Sequence, residues 1–193
     1  MNWHTKTCSE LKKSKQKDGS QNRKQNILVN AAEEKHGLPR DVLIVSNLSR
    51  KRRPEEDKMN IITIKEDVIP EIEELMNLYG DVGWSAYTND SMRLKKAIEN
   101  SLKVLTAWDD DKLVGLIRVI GDNQTIIYIQ DILVLQKYQG QGIGSHLLKR
   151  ILEEYQVIRQ VILMTEQNEK TIRFYEKCGM VKISDHNCIA FMK

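Results

Sequence analysis

From residue 59 onward the chain switches repeatedly between strand-like and helix-like spacing of its apolar residues. Short runs rich in β-branched residues and bounded by turn formers, "NIITIKE" (60–66), "KVLTAWD" (103–109), "KLVGLIRVIG" (112–121), "TIIYIQDILVL" (125–135) and "QVILMTEQ" (160–167), predict strands. Between them the spacing becomes helical. "PEIEELMNLYG" (70–80) opens on Pro70 with an acidic first turn and stops at Gly80, and "SMRLKKAIEN" (91–100) is predicted to be capped by Ser91. Along "GSHLLKRILEEYQ" (144–156), with Ile143 just before it, the apolar residues Ile143, Leu147, Leu148, Ile151 and Leu152 share one helical face, and "NEKTIRFYEKCG" (168–179) ends on Gly179. "MVKISD" and "NCIAFMK" predict a closing hairpin around His186 and Asn187. The order β-α-α-β-β-β-α-β-α-β-β implies an α/β fold, a mixed sheet with helices on both faces.

Charge divides the chain. Residues 1–58 hold 14 Lys+Arg against 8 Asp+Glu, a net +6, whereas the remainder is net −3. Within the basic part, residues 9–26 contain one large apolar side chain, Leu11, too little to offset chain entropy, so this stretch is expected to be disordered. Residues 27–48 suit a short helix before Gly37 and a strand at 42–45, and "SRKRRPEEDK" (49–58) reads as a charged linker. Residues 1–58 are therefore expected to be a basic, largely disordered extension and 59–193 the folded domain. Met59 could also serve as an alternative start. "RKRR" could touch nucleic acid, but a solvated tail is the simpler reading and nucleic acid is not the expected partner.

Composition excludes several functions. The apolar runs are too short to span a bilayer and the N-terminus lacks a signal-peptide pattern, so a cytoplasmic protein is expected. Cys8, Cys178 and Cys188 have neither an even count nor CxxC spacing, and His4, His36, His146 and His186 have no ligand spacing, so neither a disulfide framework nor a metal is expected.

The chemistry concentrates in "YQGQGIGSHLLKR" (138–150), with Gly140, Gly142 and Gly144 just ahead of a helix. Glycines this dense imply a bare backbone near a ligand, and an anion at a helix N-terminus is the leading candidate. The run lacks the GK[ST] ending of a P-loop and its GxGxG spacing is not GxGxxG, which argues against ATP and NAD.

"ILVLQKYQGQGIGSHLL" resembles motif A of the GNAT acetyltransferases, [QR]xxGxG, through Gln139, Gly142 and Gly144. "NEKTIRFYEKCGM" resembles that family's Nxx[AST]xxFYxKxGF through Asn168, Thr171, Phe174, Tyr175, Lys177 and Gly179, with Met180 where Phe is usual. Within the family, "WSAYTND", "KLVGLIRVIGD" and "DILVLQKYQGQG" are most similar to the small-amine branch that includes serotonin-type N-acetyltransferases.

The resemblance implies the GNAT fold and transfer of acetyl from acetyl-CoA to a primary amine, either a small aryl or alkyl amine or a lysine-type amine. It places the pantetheine arm along the main chain of Ile132, Leu133 and Val134, in a gap where two strands splay. It places the pyrophosphate on the amides of Gln139, Gly140, Gln141, Gly142, Ile143, Gly144 and Ser145, with Asn168 bonding the cofactor arm. Tyr175 takes the position of the acid that protonates the leaving thiolate. Asp131 is the candidate to orient or deprotonate the amine, with Glu166 as the other nearby carboxylate and Gln130 standing where polyamine acetyltransferases carry a glutamate. Trp84 and Tyr87 are candidate walls of the acceptor pocket. A homodimer is compatible with the family. The alternative is a non-catalytic acyl-CoA-binding or adaptor protein with a basic tail.

Overall fold

A computed structural model describes residues 39–46 and 59–192. The expected disorder of 9–26, the helix before Gly37 and the linker 49–58 lie outside the described residues. Six strands form one sheet in sequential order: β1 (Val42–Ser46), β2 (Met59–Glu66), β3 (Lys103–Asp109), β4 (Lys112–Gly121), β5 (Ile126–Val134) and β6 (Gln160–Ile162). Neighbours are antiparallel except β5 and β6, which run parallel and make the sheet mixed, as expected. The β4–β5 connection turns at Gly121 (φ 156°), where a Cβ would stand 2.3 Å from the Ile126 carbonyl oxygen, so no larger residue fits. The Asp122 carboxylate then accepts from the amides of Gln124, Thr125 and Ile126, and these bonds hold its carboxyl well below the usual range.

Helices cover both faces. Strand alternation puts Gly115 and Arg118 of β4 on opposite sides. A Cβ at Gly115 would touch Ile143, so that face carries α4 (Ile143–Glu154), which buries Ile143, Leu147, Leu148 and Ile151. The Arg118 face carries α1 (Ile72–Asp81), which buries Leu75, Leu78 and Tyr79, and α3 (Ser91–Glu99), which buries Leu94 and Ile98. A one-turn helix, α2 (Ser85–Thr88), follows α1, and Asp90 caps α3 in place of the expected Ser91 by accepting from the Arg93 amide. The last helix, α5 (Glu169–Lys177), is capped by Asn168.

β1 pairs with β2 from Val42↔Thr63 to Ser46↔Met59, and its Leu43 and Val45 are buried. β1, the strand expected at 42–45, thus belongs to the same sheet as the strands from Met59 onward, and its two buried side chains complete the core at the sheet's edge. At the other end, Met180–Met192 forms no hairpin. It contains one 3-10 turn, Ile183–His186, and leaves Ile189, Phe191 and Met192 exposed. The strand expected over 160–167 pairs through only three residues, an edge too short to hold further strands.

Candidate active site

The fork between β5 and β6 organises the site. The two strands pair only through Ile126↔Gln160, Ile127↔Val161 and Tyr128↔Ile162, so from Ile129 to Val134 β5 has no described strand on that side. Ile132, Leu133 and Val134 thus lie on the stretch of β5 that is open on this side. Past Val134 the chain makes a 3-10 turn, Gln136–Tyr138, and the Gln139 side-chain amide donates back to the Val134 carbonyl at 3.1 Å. Gln141 likewise donates to the Lys137 carbonyl at 3.1 Å. Side chains thus tie the loop back to the end of β5 and to its own 3-10 turn.

Gly140 (φ 79°) and Gly142 (φ 91°) have left-handed backbones, which explains glycine at both positions, and nothing lies within 4 Å of where their Cβ atoms would stand. Gly142 is the N-cap of α4 and no side chain caps the helix, so the amides of Ile143, Gly144 and Ser145 keep their positive end for a ligand. Gly144 lies beside Phe174 and Val134, each 3.6 Å from its would-be Cβ. An open strand edge leading into an uncapped helix suits an extended acyl-pantetheine ending in a pyrophosphate.

Tyr175 stands at the fork. It is half-buried, its ring lies edge-on to Phe174 at 5.0 Å, and its hydroxyl neighbours Thr165, Cys178 and Tyr128. The Tyr128 hydroxyl accepts from the Met164 amide at 3.2 Å, just beyond the last β5–β6 pair. Burial raises the Tyr175 phenol above its ordinary value against an opposing effect of Thr165, so it keeps its proton through neutral pH. Asn168 spends its Oδ1 on the Thr171 amide at 2.9 Å, leaving its amide nitrogen as the group to meet a cofactor arm.

Asp131 is placed differently from the simple expectation. Its side chain is buried and its carboxylate is ringed by donors: Arg118 Nε and the Tyr79 hydroxyl (2.7 Å) on Oδ2, and the Tyr87 hydroxyl (3.0 Å) on Oδ1. These partners and its burial screen the carboxylate from solvent, and of them Tyr87 is the one that is itself only half-buried. Burial works against the Arg118 charge, but Asp131 more than offsets it and holds the guanidinium above its ordinary value. Burial, then Asp131, pushes the Tyr79 hydroxyl far up. Arg118 and Tyr79 are the partners that sequence reasoning missed. The available signal was an arginine inside the apolar strand "KLVGLIRVIG", where a lone charge needs a buried counter-ion. Glu166 lies exposed in the connection after β6.

The two candidate wall residues do come together. The Trp84 ring stacks on Tyr87 at 5.6 Å with planes 27° apart, and Tyr79 completes the group at 6.1 Å from Trp84 and 5.2 Å from Tyr87. The wall is tied to the glycine loop at a distance: Asp81, the last residue of α1, accepts the Gln136 amide on its carboxylate (2.6 Å), and its carbonyl accepts the Gln136 side chain. Among the described residues no helix is long and apolar enough to cross a membrane, and no group of three His, Cys, Asp or Glu is arranged to hold a metal.

A sheet forked beside a glycine turn and an uncapped helix is an acyl-CoA transferase architecture, and comparison with known proteins agrees. Residues 69–180 match the Acetyltransferase (GNAT) family, so the chain belongs to that family and is an acetyltransferase enzyme. An uncharacterized ycf52-like N-acetyltransferase from Prochlorococcus marinus is 32% identical over 124 residues, covering 61% of this chain and 67% of that one. A GNAT family acetyltransferase from Streptococcus pneumoniae superposes with a TM-score of 0.62 at 39% identity, covering 68% of this chain and 96% of that one. The aminoglycoside N-acetyltransferase AAC(6')-Iy, solved in complex with CoA, shares the fold at TM-score 0.55 and 13% identity, covering 68% and 93%. The fold and the general activity implied by the two motifs therefore hold.

Proposed function

We propose that the enzyme transfers acetyl from acetyl-CoA to a primary amine by direct attack, without an acyl-enzyme. The observation that carries this reading is the fork: from Ile129 β5 has no described strand on its β6 side, runs into the Gln139–Ser145 turn and the bare N-terminus of α4, and has the Tyr175 hydroxyl beside its opening. The amides of the turn would hold the pyrophosphate, and the main chain of Ile132–Val134 would hold the pantetheine arm as an added strand. Asn168 would bond that arm.

In the reaction the amine nitrogen forms a bond to the thioester carbon, the C–S bond breaks, and Tyr175 gives its proton to the departing sulfur, while the proton lost from the nitrogen passes to water and a solvent proton restores the phenol. With burial holding it above its ordinary value, the Tyr175 phenol remains protonated at neutral pH and is available to the thiolate as it forms. Main-chain amides of β5 would stabilise the oxyanion. Trp84 and Tyr87 form an aromatic wall suited to small aryl or alkyl amines, in keeping with the small-amine branch that the sequence resembles. Asp131 supports that wall through Tyr87.

A screen of phenethylamine, putrescine and a lysine peptide with acetyl-CoA, read by thiol release, tests this reading. Amine-dependent thiol release with one acetylated product per thiol supports it. Thiol release independent of amine, or acetyl-CoA binding with no transfer to any amine, overturns it.

A further inference from the structure

We propose that Tyr87 and Gln130 together form the receptor for an N–H of the acceptor amine, Tyr87 as the contacting group and Gln130 as its positioning residue. The inference rests on the acetyl-transfer reading above and adds the atoms that hold the second substrate. It starts from an irregularity in β5: pairing with β4 passes from Arg118↔Asp131 to Val119↔Ile129, so Gln130 is an extra residue with no partner across the ladder. Such a bulge re-aims a side chain, and here the Gln130 amide reaches the Tyr87 hydroxyl at 3.0 Å.

The direction of each hydrogen bond follows from proton counting. Asp131 is buried beside Arg118 and accepts only, so the single Tyr87 hydroxyl proton is committed to Asp131. Tyr87 must then accept from its other neighbour, which fixes Gln130 with its NH2 toward the phenol. The phenolic oxygen is left with acceptor capacity and no proton to give. A hydroxyl that donates to a carboxylate is also a stronger acceptor than an isolated one. Tyr87 and Gln130 are both half-buried, whereas Asp131 is 1% exposed, so the phenol is the part of the chain of bonds that a ligand can reach.

Burial, then Asp131, raises the Tyr87 phenol above its ordinary value. It therefore stays neutral and serves as a hydrogen-bond receptor, not a base. One N–H of the amine would be fixed on Tyr87 while the nitrogen lone pair stays available for attack, and the Trp84 ring stacked on Tyr87 would cover the carbon skeleton.

The test uses the full chain and the panel amine turned over fastest. Tyr87→Phe should raise the amine KM about three- to tenfold, the usual worth of one hydrogen bond, with acetyl-CoA KM unchanged. Gln130→Met, which keeps length and removes the donor, should raise the amine KM by a smaller factor in the same range. The double variant should be no worse than Tyr87→Phe alone, because Gln130 acts only through the hydroxyl. Unchanged thermal melting confirms that both variants fold. An amine KM within twofold of wild type for Tyr87→Phe, or multiplicative losses in the double variant, would overturn the assignment. Should the wild-type enzyme itself show no amine-dependent thiol release, the acetyl-transfer reading fails first and this inference falls with it.

Discussion

The two halves of the candidate site are built from different materials. The proposed cofactor half is main chain: a stretch of β5 open on its β6 side, two left-handed glycines and the uncapped start of α4, all within residues 129–145. The acceptor half is side chain: Tyr79, Tyr87, Arg118, Gln130 and Asp131 meet from α1, α2, β4 and β5, with hydrogen-bond partners separated by up to 52 residues. A ligand shared across a family can be held by peptide groups, which every sequence has. A variable substrate must be read by side chains that can change.

The contrast gives a graded set of expectations. The largest effect belongs to the main-chain half. Gly142→Glu puts a side chain and a negative charge where the left-handed N-cap now leaves open space, and it should abolish the melting shift that acetyl-CoA gives the wild type. A retained shift would move the pyrophosphate elsewhere. Next comes Arg118→Met, which strands a buried carboxylate and should cost about 3–5 kcal/mol in denaturant unfolding, a loss that a surface ion pair would not produce.

Tyr175→Phe should lower kcat roughly tenfold or more with acetyl-CoA affinity unchanged, because the proton is used only as the thiolate departs. Full activity in this variant across the pH range would reduce Tyr175 to a packing residue. A chain starting at Met59 should be less stable than one starting at Arg40 by about 2 kcal/mol or more, since it loses the burial of Leu43 and Val45. Equal stability would show β1 to be ornamental.

The smallest effect is at alkaline pH. Tyr79 keeps its proton in the folded state far above the value of about 10 it has when unfolded, so its contribution is complete below pH 10 and declines as pH rises past it. Tyr79→Phe should flatten stability against pH above 10 in denaturant titrations.

These materials also decide what could be read from sequence. Gln139, Gly142 and Gly144 lie within six residues, so a local pattern carries the whole cofactor turn, and the Asn168–Gly179 motif carries the helix that presents Tyr175. Asp131 could be singled out as a carboxylate on the right strand, but its burial could not, because Arg118 and Tyr79 come from elements whose packing no local pattern states. Trp84 and Tyr87 are legible as two aromatic residues close together in "WSAYTND", but the single helical turn that stacks their rings is not. β1 was half-legible: "VLIV" looks like a strand, but only its register with β2 shows that it completes the core. The closing hairpin failed for the opposite reason, since apolar alternation in the last residues names a strand without supplying an edge to receive it.

Asp81 and Gln136 give the enzyme a property that neither half has alone. Asp81 ends the helix that leads into the Trp84–Tyr87 wall, and Gln136 opens the turn that leads into the glycines, so two hydrogen bonds join one substrate's support to the other's. Ligand binding that ordered one segment would be felt at the other through these two bonds. Thermodynamic linkage then requires reciprocity: whatever factor acetyl-CoA lends to amine affinity, the amine lends back to acetyl-CoA, and Gln136→Ala should reduce both factors together. The two substrates would thus sense each other before they touch.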